Sequence, residues 1–545
     1  MISHAPLFPS STSISSPLLL PALSPSPTLR EIQQLHAQSL KLNHFHHNPS
    51  LPTSLISSCC SSFQSSPPKS LHDIHYALSL LNHTTHASSF HYNTLIKALN
   101  QMNQPHQAFL LFYRLLHDNE NGNGKVLPDK YTYTFVLKSC EKLCGVEEGR
   151  QVHCLALKSG FVLDLFVGNC LIHMYNRCGD VDDAYKVFDE MLERNVANVV
   201  SWNCLIDGFV KVGNVDGARR VFDEMPARSI VSWNSMIAGC AKEGLVSETL
   251  DMFIEMQISG FYPDETTLMS IISVVSDLGL LCLGKRIHGY IIRKQFPFDG
   301  DLGAAVIDMY SKCGSVYSAL RVFENTQTKN VGHWTSMIVG LAFHGYAEAS
   351  LILFSEMLNA GVKPNHVTFV GVLSACSHGG LVEQGIRHFN LMRTYDVEPR
   401  IQHYGCLVDL LGRANLIQEA KILIDKIPME PGIVIWSTLL AACRNHGDIE
   451  TGEIAAKKLI ELTPDYGGGY VLLSNLYADS YRWMDSGRTR RVMDERGVEK
   501  VAGLSWIEVD GKLHEFLAGD RIHPKNMEIY GILDELQCKL GWEME

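Results

Sequence analysis

Apolar residues recur at helical spacing through most of the chain, and residues 230–264 show the pattern most clearly. Four of them fall at i, i+3, i+4 and i+7, which predicts one apolar face of an amphipathic helix. These residues are Trp233, Met236, Ile237 and Cys240. The pair Glu243-Gly244 is expected to end this helix.

A second helix is predicted directly after that break, ending at Ser259-Gly260 before Pro263-Asp264 begins a new segment. Its predicted apolar face consists of Val246, Leu250, Phe253 and Ile254. Two short amphipathic helices cannot bury their apolar faces alone, so such a hairpin must stack on copies of itself.

Copies of this hairpin are found along the chain. The anchors Trp202 and Trp233 lie 31 residues apart, whereas Tyr133 and Gly168 lie 35 apart. Unrelated helices in one globular domain would not keep such a spacing, so the pattern predicts an all-α fold, a right-handed α-solenoid of helix-turn-helix repeats. Repeats are predicted to begin near Lys130, Leu165, Val199, Ile230, Glu265, Gly300, Val331, His366 and Ile401.

Length and composition agree with a solenoid. A chain of 545 residues is too long for one compact core, whereas a solenoid adds repeats. Its hydrophobic content is 46% and its mean hydropathy is +0.01, and no apolar run approaches the ~18 residues needed to span a bilayer. No membrane span is therefore expected.

The two ends of the chain depart from the repeat pattern. Residues 1–30 contain no Asp or Glu and are rich in Ser, Pro and Leu, which predicts an organellar transit peptide, with a disordered tail as the alternative. The absence of Arg before Arg30 favours a plastid over a mitochondrion. Residues 31–88 are interpreted as a degenerate helical region, with a loop at 57–68.

Near the C-terminus the residues 504–519 alternate between apolar and polar around Asp510-Gly511, which predicts a β-hairpin. A final helix is predicted from about Asn526 to Leu540. The solenoid is thus expected to end in a small α+β extension.

The sequence contains no recognisable catalytic constellation. The 15 cysteines are scattered, and Cys178 and Cys313 recur at equivalent repeat positions, which favours packed, reduced thiols over a disulfide framework. No C-x-x-C pair, phosphate-binding glycine loop, nucleophile elbow or H-E-x-x-H motif occurs. We therefore expect no enzyme, no cofactor and no metal site.

Two positions are polar in most repeats, one directly after the anchor residue and one at the end of the repeat. Amide, hydroxyl and carboxylate groups suit the Watson–Crick edges of bases, so these residues are candidate RNA base-readers. The same residue types are the usual helix N-caps, and the residues alone leave both interpretations open. The candidates are Asn93, Asp129, Thr134, Asp164, Asn169, Asn198, Asn203, Ser229, Asn234, Asp264, Asn330, Thr335 and Asn365.

The motif W-N-x-(L/M)-I…G…A…(V/L)-F…M…P-D, in repeats of mixed length, resembles plant pentatricopeptide repeat proteins of the PLS subfamily. The resemblance covers about ten repeats over residues 89–432. The strings IWSTLLAACRNHGD and GLSWIE resemble that subfamily's E and E+ extensions, here residues 433–500 and 501–545. The resemblance implies single-stranded RNA as the ligand, without DNA, and site recognition for C-to-U editing of organellar transcripts.

The resemblance also implies a protein partner. The DYW deaminase domain that ends many relatives is not recognised before the final GWEME, so a DYW-type cytidine deaminase and accessory editing factors are expected to act in trans. Val501-Ala502 replaces the usual x-Pro before Gly503, which puts the local turn in question. The expected docking residues of the extensions are Trp436, Trp483, Trp506, Glu508, Phe516, Asp520, His523 and Pro524.

The family's recognition code, carried onto the matching positions, implies the core U-g-C-C-U-n-n-A, read 5′ to 3′. The code implies U for the pairs Asn93 with Asp129 and Asn234 with Asp264, and C for Asn169 with Asn198 and Asn203 with Ser229. It implies A for Thr335 with Asn365 and G for Thr134 with Asp164. It implies no discrimination among bases for Ala304 with Asn330.

Two other binding functions are alternatives to RNA editing. A factor for RNA stability, splicing or translation would have uniform repeats and lack the GLSWIE string. A tetratricopeptide scaffold would repeat every 34 residues with a W-x2-L-G-x2-Y motif. The net charge of −12, from 46 basic and 58 acidic residues, argues against phosphate-driven binding and predicts a modest salt dependence.

Overall fold

Helices form wherever the apolar residues follow helical spacing, and they account for nearly all of the described chain. The computed structural model describes residues 28–41, 45, 50–60, 70–84, 87–120, 126–499, 503–509, 512–517 and 521–539. The predicted transit peptide therefore lies almost entirely outside the described residues. The chain divides into two bodies, Met1–Glu243 and Gly244–Glu545.

In the first body the helices alternate between an A helix and a B helix of each repeat from α4 onward. They are α1 (Leu29–Lys41), α2 (Ser50–Cys60), α3 (Leu71–His83), α4 (Ser89–Gln101), α5 (Pro105–Glu120), α6 (Lys130–Leu143), α7 (Val146–Lys158), α8 (Leu165–Arg177), α9 (Val181–Glu193), α10 (Val199–Lys211), α11 (Val215–Glu224) and α12 (Ile230–Lys242). Each even-numbered helix from α4 to α12 is an A helix.

The second body continues the alternation and adds a hairpin. Its elements are α13 (Val246–Ile258), α14 (Glu265–Leu278), α15 (Leu281–Arg293), α16 (Asp301–Lys312), α17 (Val316–Asn325), α18 (Val331–Phe343), α19 (Ala347–Asn359), α20 (His366–Gly379), α21 (Val382–Leu391) with a 3-10 turn (Met392–Tyr395), α22 (Ile401–Arg413), α23 (Ile417–Asp425), α24 (Ile433–His446), α25 (Ile449–Leu462), α26 (Gly467–Asp479), α27 (Trp483–Glu495), β1 (Leu504–Val509), β2 (Lys512–Leu517) and α28 (Asn526–Lys539). The predicted all-α repeat fold with a small α+β extension is confirmed.

Within each body, A helices of successive repeats pack side by side, and B helices pack against both flanking A helices. An aromatic residue of the B helix contacts the anchor of the next repeat edge to face. The ring centroids of Phe188 and Trp202 are 4.7 Å apart, and those of Phe222 and Trp233 are also 4.7 Å apart. This contact buries apolar area that a single hairpin would expose.

The predicted apolar face of α12 is confirmed, since Trp233, Met236, Ile237 and Cys240 are almost completely buried. The predicted breaks are also found. Gly244 and Gly260 have φ values of +72° and +84°, a left-handed conformation that glycine adopts without a steric penalty.

The predicted face of α13 is wrong in its register. Ile254 is 52% exposed, and the buried residues are Thr249, Met252 and Met256. Thr249 does not stand out as an apolar residue in the sequence, yet its hydroxyl donates to the Leu245 carbonyl at 2.7 Å. Because that bond satisfies the hydroxyl within the helix, threonine can face the core. Val246, Leu250 and Phe253 are only half-buried.

The loop predicted at 57–68 is wrong in its first four residues. Ser57–Cys60 form the last turn of α2, because Leu55, Ile56 and Cys59 place a buried face at helical spacing. Residues 61–68 lie outside the described residues. The loop was predicted from the serine content, whereas three apolar side chains determine the helix at these four residues.

The predicted C-terminal hairpin is confirmed. Strands β1 and β2 are antiparallel, and Val509 pairs with Lys512, which leaves Asp510-Gly511 between the strands and outside the described residues. The indole N–H of Trp506 on β1 donates to the Leu278 carbonyl at 2.9 Å. In the parts of the chain that the structure describes, no helix is long and apolar enough to cross a bilayer.

Candidate nucleic-acid interface

The polar residues that end the repeats are helix N-caps. In each case the side-chain oxygen accepts a hydrogen bond, 2.8 to 3.3 Å long, from the backbone N–H of the second or third residue of the next A helix. The capping interpretation is therefore confirmed, and it does not exclude base reading by the same residues. The residues concerned are Asp129, Asp164, Asn198, Ser229, Asp264, Asn330 and Asn365.

The first predicted pair forms a direct contact. Asn93 Nδ2 donates to Asp129 Oδ1 at 2.9 Å, while the buried Oδ1 of Asn93 has no hydrogen-bond partner among the described residues. Burial alone would raise the pKa of Asp129, but hydrogen bonds from the Thr132 N–H and the Asn93 amide outweigh it and lower the pKa. The carboxylate therefore stays ionised at neutral pH and acts only as an acceptor.

In the third repeat a serine connects the two predicted residues. Ser201 Oγ donates to Asn169 Oδ1 at 2.6 Å and lies 3.3 Å from Asn198 Oδ1. Ser201 is the third residue of α10 and is fully buried. It was not among the sequence candidates, although an N-cap followed three residues later by Ser or Thr is a recognisable capping signal.

The fourth repeat has the same arrangement with a different cap. Ser232 Oγ donates to Asn203 Oδ1 at 2.6 Å, and Asn203 Nδ2 lies 3.4 Å from Ser229 Oγ. In the second body, the hydroxyl of Thr368 lies 2.7 Å from that of Thr335 and donates to Asn365 at 3.0 Å. Four of the predicted pairs are thus brought together, three of them through a hydroxyl that the sequence analysis missed.

In two of the remaining pairs the structure shows contacts to other groups. Thr134 donates to the Tyr131 carbonyl, and Asp164 lies 3.7 Å from Lys130. Asn234 lies in the first body and Asp264 in the second. The Asn330 amide reaches the Asp299 carbonyl at 3.5 Å.

A groove of about 640 Å³ lies in front of the first pair. Asn93, Asp129 and Lys97 line it together with Phe90 and Tyr131, which are 52% and 57% exposed. Exposed apolar residues at this second position of the A helix recur and were missed by the sequence analysis, because a single apolar residue beside a buried face carries no periodicity of its own. They are Phe90, Tyr131, Phe166, Val200, Val231 and Val367.

Family models match the repeat tract and the C-terminal region. The PPR repeat descriptions match residues 90–119, 159–192, 197–231, 228–276 and 329–378, and the E motif matches residues 446–508. A pentatricopeptide repeat-containing protein of Arabidopsis thaliana, named as chloroplastic/mitochondrial, is 37% identical over 532 residues, which cover 94% of this chain and 75% of that protein. The chain belongs to the pentatricopeptide repeat family.

Other comparisons agree. A second pentatricopeptide repeat-containing protein of Arabidopsis thaliana is 44% identical over 464 residues, 85% of each chain. The crystal structure of the pentatricopeptide repeat protein PPR10 from maize has a TM-score of 0.50 at 18% identity, covering 86% of this chain and 72% of that one. That likeness shows the α-solenoid fold. The mixed repeat lengths and the E motif are consistent with the PLS subfamily of pentatricopeptide repeat proteins.

The predicted docking residues of the E region differ in exposure. Trp436 is half-buried, and its indole N–H donates to the Pro431 carbonyl at 3.2 Å. Trp483, by contrast, is 64% exposed at the start of α27, next to Tyr481 and Met484, which are 83% and 80% exposed. These three exposed side chains, Tyr481, Trp483 and Met484, are named here the α27 patch.

The described members of the set predicted to dock a partner in the E+ region lie on or beside the hairpin. Trp506 is 40% exposed, and Phe516 stacks on His523 with ring centroids 5.0 Å apart. The His523 ring also bonds His514 at 2.9 Å, and Pro524 is exposed. Asp520 and the Glu508 side chain lie outside the described residues.

Most cysteines of this pentatricopeptide repeat protein are buried or half-buried. No disulfide joins any of the 15 cysteines, all of which lie among the described residues, and burial raises the pKa of the recurring Cys178 to about 11. Among the described residues, no group of three or more His, Cys, Asp or Glu is placed to hold a metal ion.

Proposed function

We propose that the chain binds single-stranded RNA and reads one base per repeat. The observation that carries the proposal is the repeated pairing of a polar residue on one A helix with the N-cap of the next. Asn93 with Asp129 and Asn203 with Ser229 contact each other in the same way although their repeats are far apart in sequence. A purely structural cap needs no second polar residue beside it.

The exposed apolar residues beside the pairs support RNA as the ligand. A base whose edge reaches Asn93 and Asp129 lies between the side chains at the second position of successive A helices, such as Phe90 and Tyr131. Aromatic and apolar side chains stack on any base, whereas the polar pair can choose among bases. Lys130 Nζ lies 5.5 Å from the Tyr131 ring and is a candidate phosphate contact.

We further propose that this RNA binding selects sites for C-to-U editing in an organelle, with a cytidine deaminase acting in trans. The matched E motif and the names of organellar relatives support this role. The α27 patch supports docking of a protein partner, because contiguous exposed aromatic and Met side chains are typical of interfaces. Transcript stability, splicing or translation is the alternative outcome of the same RNA binding.

The first experiment is a gel shift of the full chain against RNA carrying UGCCUNNA, with a purine/pyrimidine-swapped RNA as control. In the variant Asn234→Thr, the preference at the fifth base should move from U toward G by about tenfold, the value of one good base contact. The matched control Asn359→Thr changes an exposed asparagine at the end of α19 and should leave the preference as it is.

Binding to neither RNA at low salt would overturn the proposal and leave a helical scaffold for a protein ligand. Selective binding without C-to-U conversion of a cytidine just 3′ of the core, when a DYW-type deaminase is added, would retain RNA recognition and reject the editing role.

A further inference from the structure

We propose that Ser201 and Ser232, the third residues of α10 and α12, are positioning residues that set the choice of cytosine over uracil by the asparagine of the preceding repeat. The inference rests on the RNA-binding function proposed above and deepens it. The two serines contact no base in this scheme. They act by orienting the side-chain amides of Asn169 and Asn203.

Ser201 has a single hydroxyl proton and two candidate acceptors. Its oxygen accepts from the Asn198 backbone N–H at 3.2 Å, so the proton is free for a side chain. Asn169 Oδ1 lies at 2.6 Å and Asn198 Oδ1 at 3.3 Å, and the shorter contact takes the proton. Asn169 Oδ1 is thereby engaged, while its Nδ2 makes no hydrogen bond within the described part of the chain.

Ser232 has the same set of contacts around Asn203. It accepts from the Ser229 backbone N–H at 3.1 Å and donates to Asn203 Oδ1 at 2.6 Å. Of the two Nδ2 protons of Asn203, one points to Ser229 Oγ over a long 3.4 Å contact, and the other is left for a ligand. Both serines therefore leave the amide with a donor to offer.

The first repeat shows what happens when a carboxylate replaces the neutral cap. The Thr132 hydroxyl donates to Asp129 Oδ1 at 3.1 Å rather than to the asparagine of the preceding repeat. Asp129 also takes the Nδ2 proton of Asn93, because a carboxylate can only accept. The Asn93 Nδ2 thus points to the cap, as the Asn203 Nδ2 does, but no hydroxyl bonds the Asn93 Oδ1, and this acceptor has no hydrogen-bond partner among the described residues.

The two bonding states of the amide oxygen match the two pyrimidines. Cytosine has an acceptor at N3 next to an amino donor, whereas uracil has a donor N3–H between two carbonyl oxygens. An asparagine that offers Nδ2 complements cytosine N3, and one that offers Oδ1 complements uracil N3–H. The hydroxyl of Ser201 or Ser232 therefore selects cytosine by occupying the oxygen of the amide.

The test uses the full chain and two RNAs that carry C or U at the third base of the core, opposite Asn169. In the variant Ser201→Ala the Asn169 amide is free to turn, and the ratio of the two dissociation constants should fall by about fivefold, the value of one hydrogen bond. The variant Ser201→Thr keeps the hydroxyl and should restore the ratio. Threonine already occupies this position in α6, α14 and α20.

The matched control is Thr132→Ala, read at the first base. This variant loses the same bond to the N-cap backbone, since Asp129 N–H donates to Thr132 Oγ1 at 3.0 Å. The Asp129 carboxylate still orients Asn93, so the U-over-C ratio at the first base should persist. Thermal unfolding should show a similar loss of stability in Ser201→Ala and Thr132→Ala, because both weaken a capping box.

Two results would overturn the inference while leaving the proposed function intact. One is an unchanged C-over-U ratio in Ser201→Ala with RNA binding retained. The other is an equal loss of discrimination in Thr132→Ala, which would mean that the hydroxyls act only through helix stability. If the unaltered chain binds no RNA, the proposed function fails first, and the two failures are thus distinguishable.

Discussion

Asn93, Asn169 and Asn203 hold the same place in three repeats, yet their amides are bonded differently. The N-cap of the next helix determines the difference. Asp129 can only accept hydrogen bonds, and it accepts one from the Asn93 amide. Where the cap is Asn198 or Ser229, the hydroxyl of Ser201 or Ser232 donates its proton to the asparagine of the preceding repeat. Capping and base reading, alternatives in the sequence, are therefore compatible at the level of one residue. The residue types were enough to predict the pairs, but not the bridging serines, which look like ordinary parts of a capping box.

Histidine replaces the hydroxyl residue at the third position of some A helices, and there it predicts a pH dependence. His403 accepts from the Arg400 N–H at Nδ1 and donates from Nε2 to the His366 carbonyl, both at 2.9 Å, which requires the neutral ring. Burial lowers the pKa of His403 more than its hydrogen bonds raise it. The unfolded chain therefore binds a proton at a higher pH than the folded chain does, and the free energy of unfolding falls as the pH drops below about 6.5.

The variant His403→Thr tests this. We expect it to be less stable than the unaltered chain at pH 7.5 by about 1 kcal/mol, since one hydrogen bond is lost. The loss of stability between about pH 7.5 and about pH 5.5 should be smaller in the variant, as followed by chemical denaturation. The exposed His106, changed to Gln, serves as the control for removing a histidine without removing a buried ring. An equal pH dependence in His403→Thr would contradict the prediction.

At the scale of elements, the A helices were predicted more accurately than the B helices. The A helices from Lys130 to Ile401 begin where the sequence placed them, apart from Gly300, which precedes α16 by one residue. An aromatic anchor and a polar N-cap mark most of the A helices in the sequence. The buried face of the B helix α13 consists of Thr249 and two methionines, residues whose burial depends on neighbouring helices, so its register could not be predicted from one segment.

The close approach of neighbouring A helices predicts opposite effects for two helical glycines. A Cβ added to Gly208 on α10 would overlap the side chain of Asn176 on α8, which is buried and donates to the Cys204 carbonyl at 2.8 Å. Gly208→Ala should therefore lower the free energy of unfolding by about 1–3 kcal/mol. Gly487 on α27 has open space around its Cβ position, so Gly487→Ala should raise that free energy by about 0.5–1 kcal/mol through helix propensity.

Chemical denaturation of both variants in parallel checks the pair. A neutral or stabilising Gly208→Ala would mean that α8 and α10 can separate without cost, contrary to the packing described here. The comparison also separates the effect of packing on the free energy of unfolding from that of backbone entropy. Both substitutions change helix propensity in the same way, and they differ only in the space around the new methyl group.

At the scale of the whole molecule, net charge bears on how RNA would be held. The chain carries −12, and carboxylates at the ends of repeats, such as Asp129 and Asp264, add to it. These carboxylates cap helices, and the ionised Asp129 also accepts from the Asn93 amide. In the proposed interface, negative charge would therefore serve both helix stability and base selectivity. Affinity must then come mainly from stacking and base edges, one repeat at a time.

Because few phosphate contacts are expected, the affinity for RNA should depend only weakly on salt concentration. Each phosphate neutralised on a single strand contributes about −0.7 to the slope of log K against log[salt], and the groove in front of the first pair has Lys97 as its single lining cation among the described residues. With a few lysines of this kind along the described repeats, we expect a slope no steeper than about −4 between about 50 and 200 mM salt. Fluorescence anisotropy with UGCCUNNA RNA measures this slope. The variant Lys97→Gln should make the slope shallower by about 0.7 and leave the preference for U at the first base unchanged. A slope near −10, as for a strongly basic repressor, would mean that the RNA is held by its phosphates and that the polar pairs contribute little to its affinity.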